Sequence, residues 1–115
     1  MIGILGALDI EVDQLYEELE GAEIEEAYGY KYARGRLCGR DVVVARCGVG
    51  KVNAAVCAQT MVMKYAPELI VNSGVAGSLS NELGICDIAV GKDIVQHYFD
   101  TTGCGDHIGF VSTVE

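Results

Sequence analysis

Glu11 is the residue whose setting most suggests chemistry. It lies one turn into the segment "LDIEVDQLYEELEG", directly after an apolar run that breaks at Gly6-Ala7. A carboxylate just beyond the end of a buried strand can hold a water molecule and take its proton, provided its surroundings raise its pKa towards neutrality. The plainer reading is one more acid on a solvated helix face. Two glycine loops add to the interest: "CGVGK" at 47–51 and "VNSGVAGSL" at 71–79, each following an apolar run. Neither cradles phosphate by pattern. "RCGVGKV" lacks the first Gly of a P-loop and the Ser or Thr after Lys51, and Asn53 stands where a dinucleotide fingerprint needs its third glycine. His97, Cys104, Asp106 and His107 are of metal-binding types, but their spacing matches no zinc pattern. His97 and Asp100 suit the ordering of a loop at a pocket mouth. Ser73 and Ser78 lack the G-x-S-x-G context of a nucleophile elbow.

The elements that must position these residues follow from periodicity. Ile2-Gly3-Ile4-Leu5 reads as a short buried strand. Leu8, Val12, Leu15, Tyr16 and Leu19 fall near a helical period, the other face is acidic, and Gly21 supplies the stop. Residues 28–47 predict a hairpin turning at Cys38-Gly39-Arg40-Asp41, with Val42-Val43-Val44 as the more buried arm. Val52 to Tyr65 is a helix apolar nearly all round, so it should be covered on every side, by a partner subunit where the chain itself does not reach. Pro67 closes it and Leu69-Ile70-Val71 begins the next strand. "CDIAVGKDIVQHY" predicts a further strand pair, and the chain ends in a segment resembling a strand. The whole is an α/β pattern with a mixed central sheet flanked by helices, in one domain spanning 1–115. If the strands before Gly6, Gly48 and Gly74 are parallel, their loops share one sheet edge, where open α/β sheets bind ligands.

Composition narrows the partners. The chain has 115 residues, half of them hydrophobic, and a formal net charge of −9, which fits a folded domain. Eight scattered Lys and Arg argue against nucleic acid as a partner. Five cysteines without a CxxC pair suggest reduced thiols in a cytoplasmic protein. No apolar run reaches the length of a membrane span, and "MIGILGALDIEV" has no basic region of a signal peptide.

Four stretches taken together, "MIGILGALDIEV", "CGVGKVNAA", "VNSGVAGSL" and "DIAVGKDIVQHYFDTT", occur in the order and at the intervals found in bacterial 5′-methylthioadenosine/S-adenosylhomocysteine nucleosidases. The likeness runs from residue 1 to about 102 and resembles the N-terminal half of that family's domain, which is roughly twice as long. The resemblance implies a nucleoside phosphorylase/nucleosidase-like fold, truncated here, and hydrolysis of the N-glycosidic bond of an adenine nucleoside, with release of adenine and no cofactor. It makes Glu11 the carboxylate that activates water. Ala7 and Leu8 would line the ribose and alkylthio region, with Val49 as an apolar wall. Val75, Ala76 and Gly77 would lie against the ribosyl and purine rings. The Val52–Tyr65 helix would belong to a homodimer interface. In the family, a second glutamate that binds the ribose hydroxyls and an aspartate that protonates the purine lie in the other half, so the 115 residues alone should have little activity. Val75 stands where many relatives carry a small hydroxyl residue, which leaves only backbone contacts there. Three other readings stay open: a purine nucleoside phosphorylase, disfavoured by the acids Asp9 and Glu11 where phosphate would sit; a hydrolase for another nucleoside such as futalosine; and a non-catalytic binding or assembly module.

Overall fold

The computed structural model describes residues 1–96 and 98–109. They fall into two compact units, Met1–Gly77 and a second beginning at Ser78. The first unit holds the regular structure: β1 (Ile2–Gly6), α1 (Asp9–Glu17), β2 (Glu20–Ala27), β3 (Tyr30–Leu37), β4 (Arg40–Arg46), α2 (Lys51–Tyr65) and β5 (Leu69–Asn72). The strands form one sheet in the order β2-β3-β4-β1-β5. β1 is parallel to both β4 and β5, whereas β2–β3 and β3–β4 are antiparallel. The mixed sheet expected from the sequence is therefore present.

The run Val42-Val43-Val44-Ala45 is buried throughout because a helix covers each face of the sheet. Val42 and Val44 pack with Val12 and Leu19 on the α1 side. Val43 and Ala45 pack with Cys57 and Met61 of α2 on the other. A strand covered on both faces reads as a continuous apolar run. Each fully buried valine contributes about 1.5–3 kcal/mol from removal of its side chain from water. The hairpin between β3 and β4 turns where expected: Cys38 and Gly39 both have positive φ, 50° and 76°, as a two-residue primed turn requires.

Three expectations are corrected. α1 ends at Glu17, short of Gly21, and Gly21 instead lies where the β2–β3 register shifts between Glu20 and Glu23. The segment beyond the helix is a strand, β2, that the sequence did not announce. Its side chains are almost all exposed, so it is held by backbone pairing with β3 and carries little apolar signal. The third concerns "CDIAVGKDIVQHY". The described residues of the second unit contain no strand and only a single turn of 3-10 helix at Thr102–Cys104. Ile85, Ile88, Val90 and Ile94 are exposed, and an isolated strand pair with no covered face is marginal at best. The strand expected at the chain end, and His97, lie outside the described residues.

α2 also departs from full coverage. Cys57, Thr60 and Met61 are buried, but Val52, Val56 and Met63 are 77%, 46% and 79% exposed. Among the described residues of the first unit the helix is covered on one side only.

Candidate active site

Parallel pairing of β1 with β4 and β5 brings three strand ends to one edge of the first unit. Backbone bonds extend the pairing beyond the strands: the Cys47 amide donates to the Gly6 carbonyl at 2.8 Å, and the Ser73 amide to the Leu5 carbonyl at 2.8 Å. The three loops that leave these ends therefore start side by side, as expected.

α1 starts in the loop after β1, with Leu8 as its N-cap and Glu11 in its first turn. The Glu11 carboxylate folds back over its own helix start. Oε2 accepts from the amides of Ala7 and Leu8 at 2.8 and 2.9 Å. Oε1 accepts from the Val75 amide at 3.0 Å. A glutamate at this position satisfies amides that the helix leaves unpaired, and its negative charge suits the positive end of the helix dipole. The condition set from the sequence is not met in this arrangement. The amide of Val75 first, then those of Leu8 and Ala7, hold the carboxyl below its ordinary range, because all three stabilise the anion. Glu11 is thus held in its anionic form.

The glycines explain how the carboxylate fits. A side chain at Gly74 would run into Glu11 Oε1, and one at Gly6 would come within 2.6 Å of Val12 Cγ1 and 3.3 Å of Glu11 Cβ. The space that a side chain at Gly74 would need is taken by Glu11. Gly77 has nothing within 4 Å.

Of the residues singled out by sequence, Ala7, Leu8, Glu11 and Val75 meet in one hydrogen-bonded cluster. Val49 lies in the neighbouring loop after β4, exposed, its carbonyl held by Asn53 Nδ2 at 2.8 Å. Ala76 and Gly77 continue from Val75 and are exposed. Asp100 orders its own turn, accepting from the Thr102 amide and hydroxyl at 2.9 and 2.7 Å. Among the described residues no three His, Cys, Asp or Glu come together as metal ligands.

The sequence reading missed two features. Arg46 pairs with Asp9 at 2.7 Å, so the acid counted against phosphate is partly offset by a base thirty-seven residues away. Cys47 is buried beside β1, and burial raises its thiol pKa, with the Glu11 charge adding to the rise. Neither pairing has a local sequence signal, because both depend on the β1–β4 register.

The fold and this strand-end arrangement define a class. The chain belongs to the phosphorylase superfamily, whose family model matches residues 1–114. Over 108 residues it is 40% identical to a 5′-methylthioadenosine/S-adenosylhomocysteine nucleosidase of Shewanella halifaxensis, covering 94% of this chain and 47% of the relative. Among solved structures it is similar to such a nucleosidase from Colwellia psychrerythraea in complex with adenine, with a TM-score of 0.91, 36% identity, and coverage of 96% of this chain and 46% of the other. It is also similar to a futalosine hydrolase of Helicobacter pylori, with a TM-score of 0.82, 30% identity, and coverage of 96% and 48%. The chain spans about half the length of the curated relatives it matches.

Proposed function

We propose that the protein acts on adenine nucleosides, as the N-terminal half of a single nucleosidase-like domain, and that its chemistry is hydrolysis of the N-glycosidic bond of 5′-methylthioadenosine and S-adenosylhomocysteine. The observation that carries this reading is the Glu11 carboxylate, fixed where β1 and β5 end, in a fold shared with an adenine-bound nucleosidase. The nucleoside would lie along this edge, its ribose and alkylthio group against Ala7, Leu8 and Val49 and its rings against Val75, Ala76 and Gly77.

Hydrolysis forms a bond from water oxygen to C1′ and breaks the bond from C1′ to the purine nitrogen, whose electrons leave with the purine. Glu11 holds the water and takes its proton. A carboxylate with a lowered pKa is a weak base, but the water becomes more acidic as it bonds to an electron-poor C1′, so the proton moves late. No cofactor is needed. The departing purine also requires a proton, and none of the seven site residues named here is an acid placed to supply it. Loss of such assistance costs about 10²–10⁴-fold in rate, so the 115-residue chain should turn over slowly or not at all.

The likeness to a futalosine hydrolase favours a second reading, the same hydrolysis on futalosine. We also place the protein in the cytoplasm and read it as a homodimer formed through α2, whose outer side carries Val52, Val56 and Met63 uncovered. The test is base release from 5′-methylthioadenosine, S-adenosylhomocysteine and futalosine, followed chromatographically with and without phosphate. Phosphate-independent adenine release, slow beside that of a full-length relative, supports the reading; turnover near that of such a relative refutes the expected low activity. Phosphate-dependent turnover yielding a sugar-1-phosphate, or preference for futalosine, overturns it.

A further inference from the structure

We infer that Gly74 is a positioning residue for Glu11: its missing side chain is the seat of the carboxylate, and that seat leaves Oε1 as the oxygen free to take the proton from water. The first part stands on geometry alone; the second rests on the hydrolytic role proposed above.

A Cβ built on Gly74 would overlap Glu11 Oε1 and lie 2.8 Å from Cδ and 3.2 Å from Oε2. All three atoms belong to the group that does the chemistry, so the carboxylate as a whole occupies the place of a side chain. Backbone conformation does not explain the glycine. Gly74 is not among the glycines with positive φ, so its φ does not call for glycine, whereas the space taken by Glu11 does. Gly77, three residues on, has open space around it and so makes no such demand.

The seat also divides the work of the two oxygens. A carboxylate offers about four lone-pair sites, two on each oxygen. Oε2 spends both on Ala7 and Leu8. Oε1 spends one on Val75 and keeps one. The water therefore meets Oε1, on the side of the loop after β5. The Val75 side chain takes no part, since only its amide reaches the carboxylate.

The isotope-labelled 115-residue chain tests this by NMR. The Glu11 side-chain carboxyl carbon and the amides of Ala7, Leu8 and Val75 are followed through an acid titration. All three amides should move with the Glu11 midpoint. In Gly74→Ala the Val75 amide should cease to follow Glu11, and the Glu11 midpoint should rise, because one of the three donors to the anion has been lost. In Gly77→Ala the coupling and the midpoint should both stay where they are. A Val75 amide that ignores the Glu11 titration in the unmodified chain overturns the inference, whether or not Gly74→Ala folds. So does a folded Gly74→Ala variant with an unmoved midpoint. If the couplings hold but Glu11→Gln releases adenine as fast as the unmodified chain does, however slow that is, the assignment of Oε1 as proton acceptor falls while the seat stands.

Discussion

Glu11 Oε1 lies 3.0 Å from the amide nitrogen of Val75, sixty-four residues later in the chain. One carboxylate thereby ties the first turn of α1 to the loop that leaves β5, and the pieces of the proposed site become a single unit.

Replacement of Glu11 by Gln keeps the shape of the side chain but removes its charge and leaves an NH2 group facing an amide donor. Whatever adenine release the protein supports should fall by about 10²–10⁴-fold, the usual contribution of a positioned acid or base. Initial rates at saturating 5′-methylthioadenosine provide the check.

Acid should weaken the fold in a defined window. Glu11 is held below the ordinary glutamate value of 4.5 by backbone amides. Glu25 is lowered chiefly by its bond to Lys64, then by Tyr65. Both groups bind a proton less readily folded than unfolded, so they favour the folded state above pH 4.5 and lose that contribution as pH falls through their lowered values. Urea midpoints measured from neutral pH downwards should be level above this window and drop within it. Glu11→Gln should flatten part of the drop.

How far the fold could be read in advance depended on where apolar side chains end up. β1 and β4 bury theirs, α2 buries one side, and all three were visible to within a residue or two. β2 was not, because a strand held by backbone pairing leaves "EGAEIEEA" acidic and exposed. Its one available signal was the turn Tyr28-Gly29, with φ of 52° and 85°, which repeats the geometry of Cys38-Gly39. The segment "CDIAVGKDIVQHY" fails the opposite way. Its alternation is strand-like, yet Ile88, Val90 and Ile94 find no cover among the described residues of the second unit. At the site, the position of Glu11 was legible from "GALDIE", but its three amide partners and the use of Gly74 were not. They arise from contacts between β1, α1 and β5 that no local spacing encodes.

Met61 is fully buried and packs α2 against the sheet, its sulfur filling the space a side chain at Gly3 would need. Met61→Ala should cost about 2–5 kcal/mol, the range for truncating a core side chain, read as a lower urea midpoint. Tyr32 is equally buried, and its hydroxyl donates to the Cys57 carbonyl at 3.1 Å. Tyr32→Phe removes that bond and should cost about 0.5–1.5 kcal/mol, the net worth of one hydrogen bond, since the Cys57 carbonyl keeps its place in the α2 ladder.

The exposed side of α2 gives a prediction about assembly. If Val52, Val56 and Met63 meet a second copy, then Val56→Glu or Met63→Glu places a charge in an apolar contact. Sedimentation should show a dimer converted to monomer, with the near-neutral circular dichroism unchanged. A monomer before substitution would remove α2 as an interface.

The claim at the centre is a nucleoside site where the parallel strands end, and the most direct test needs no turnover. 5′-Methylthioadenosine is titrated into the labelled chain while its amide resonances are followed. The amides of Ala7, Leu8, Val49, Val75, Ala76 and Gly77 should shift together along one binding curve, and the rest of the first unit should stay still. Shifts confined to other residues, or none at millimolar nucleoside, would contradict the site.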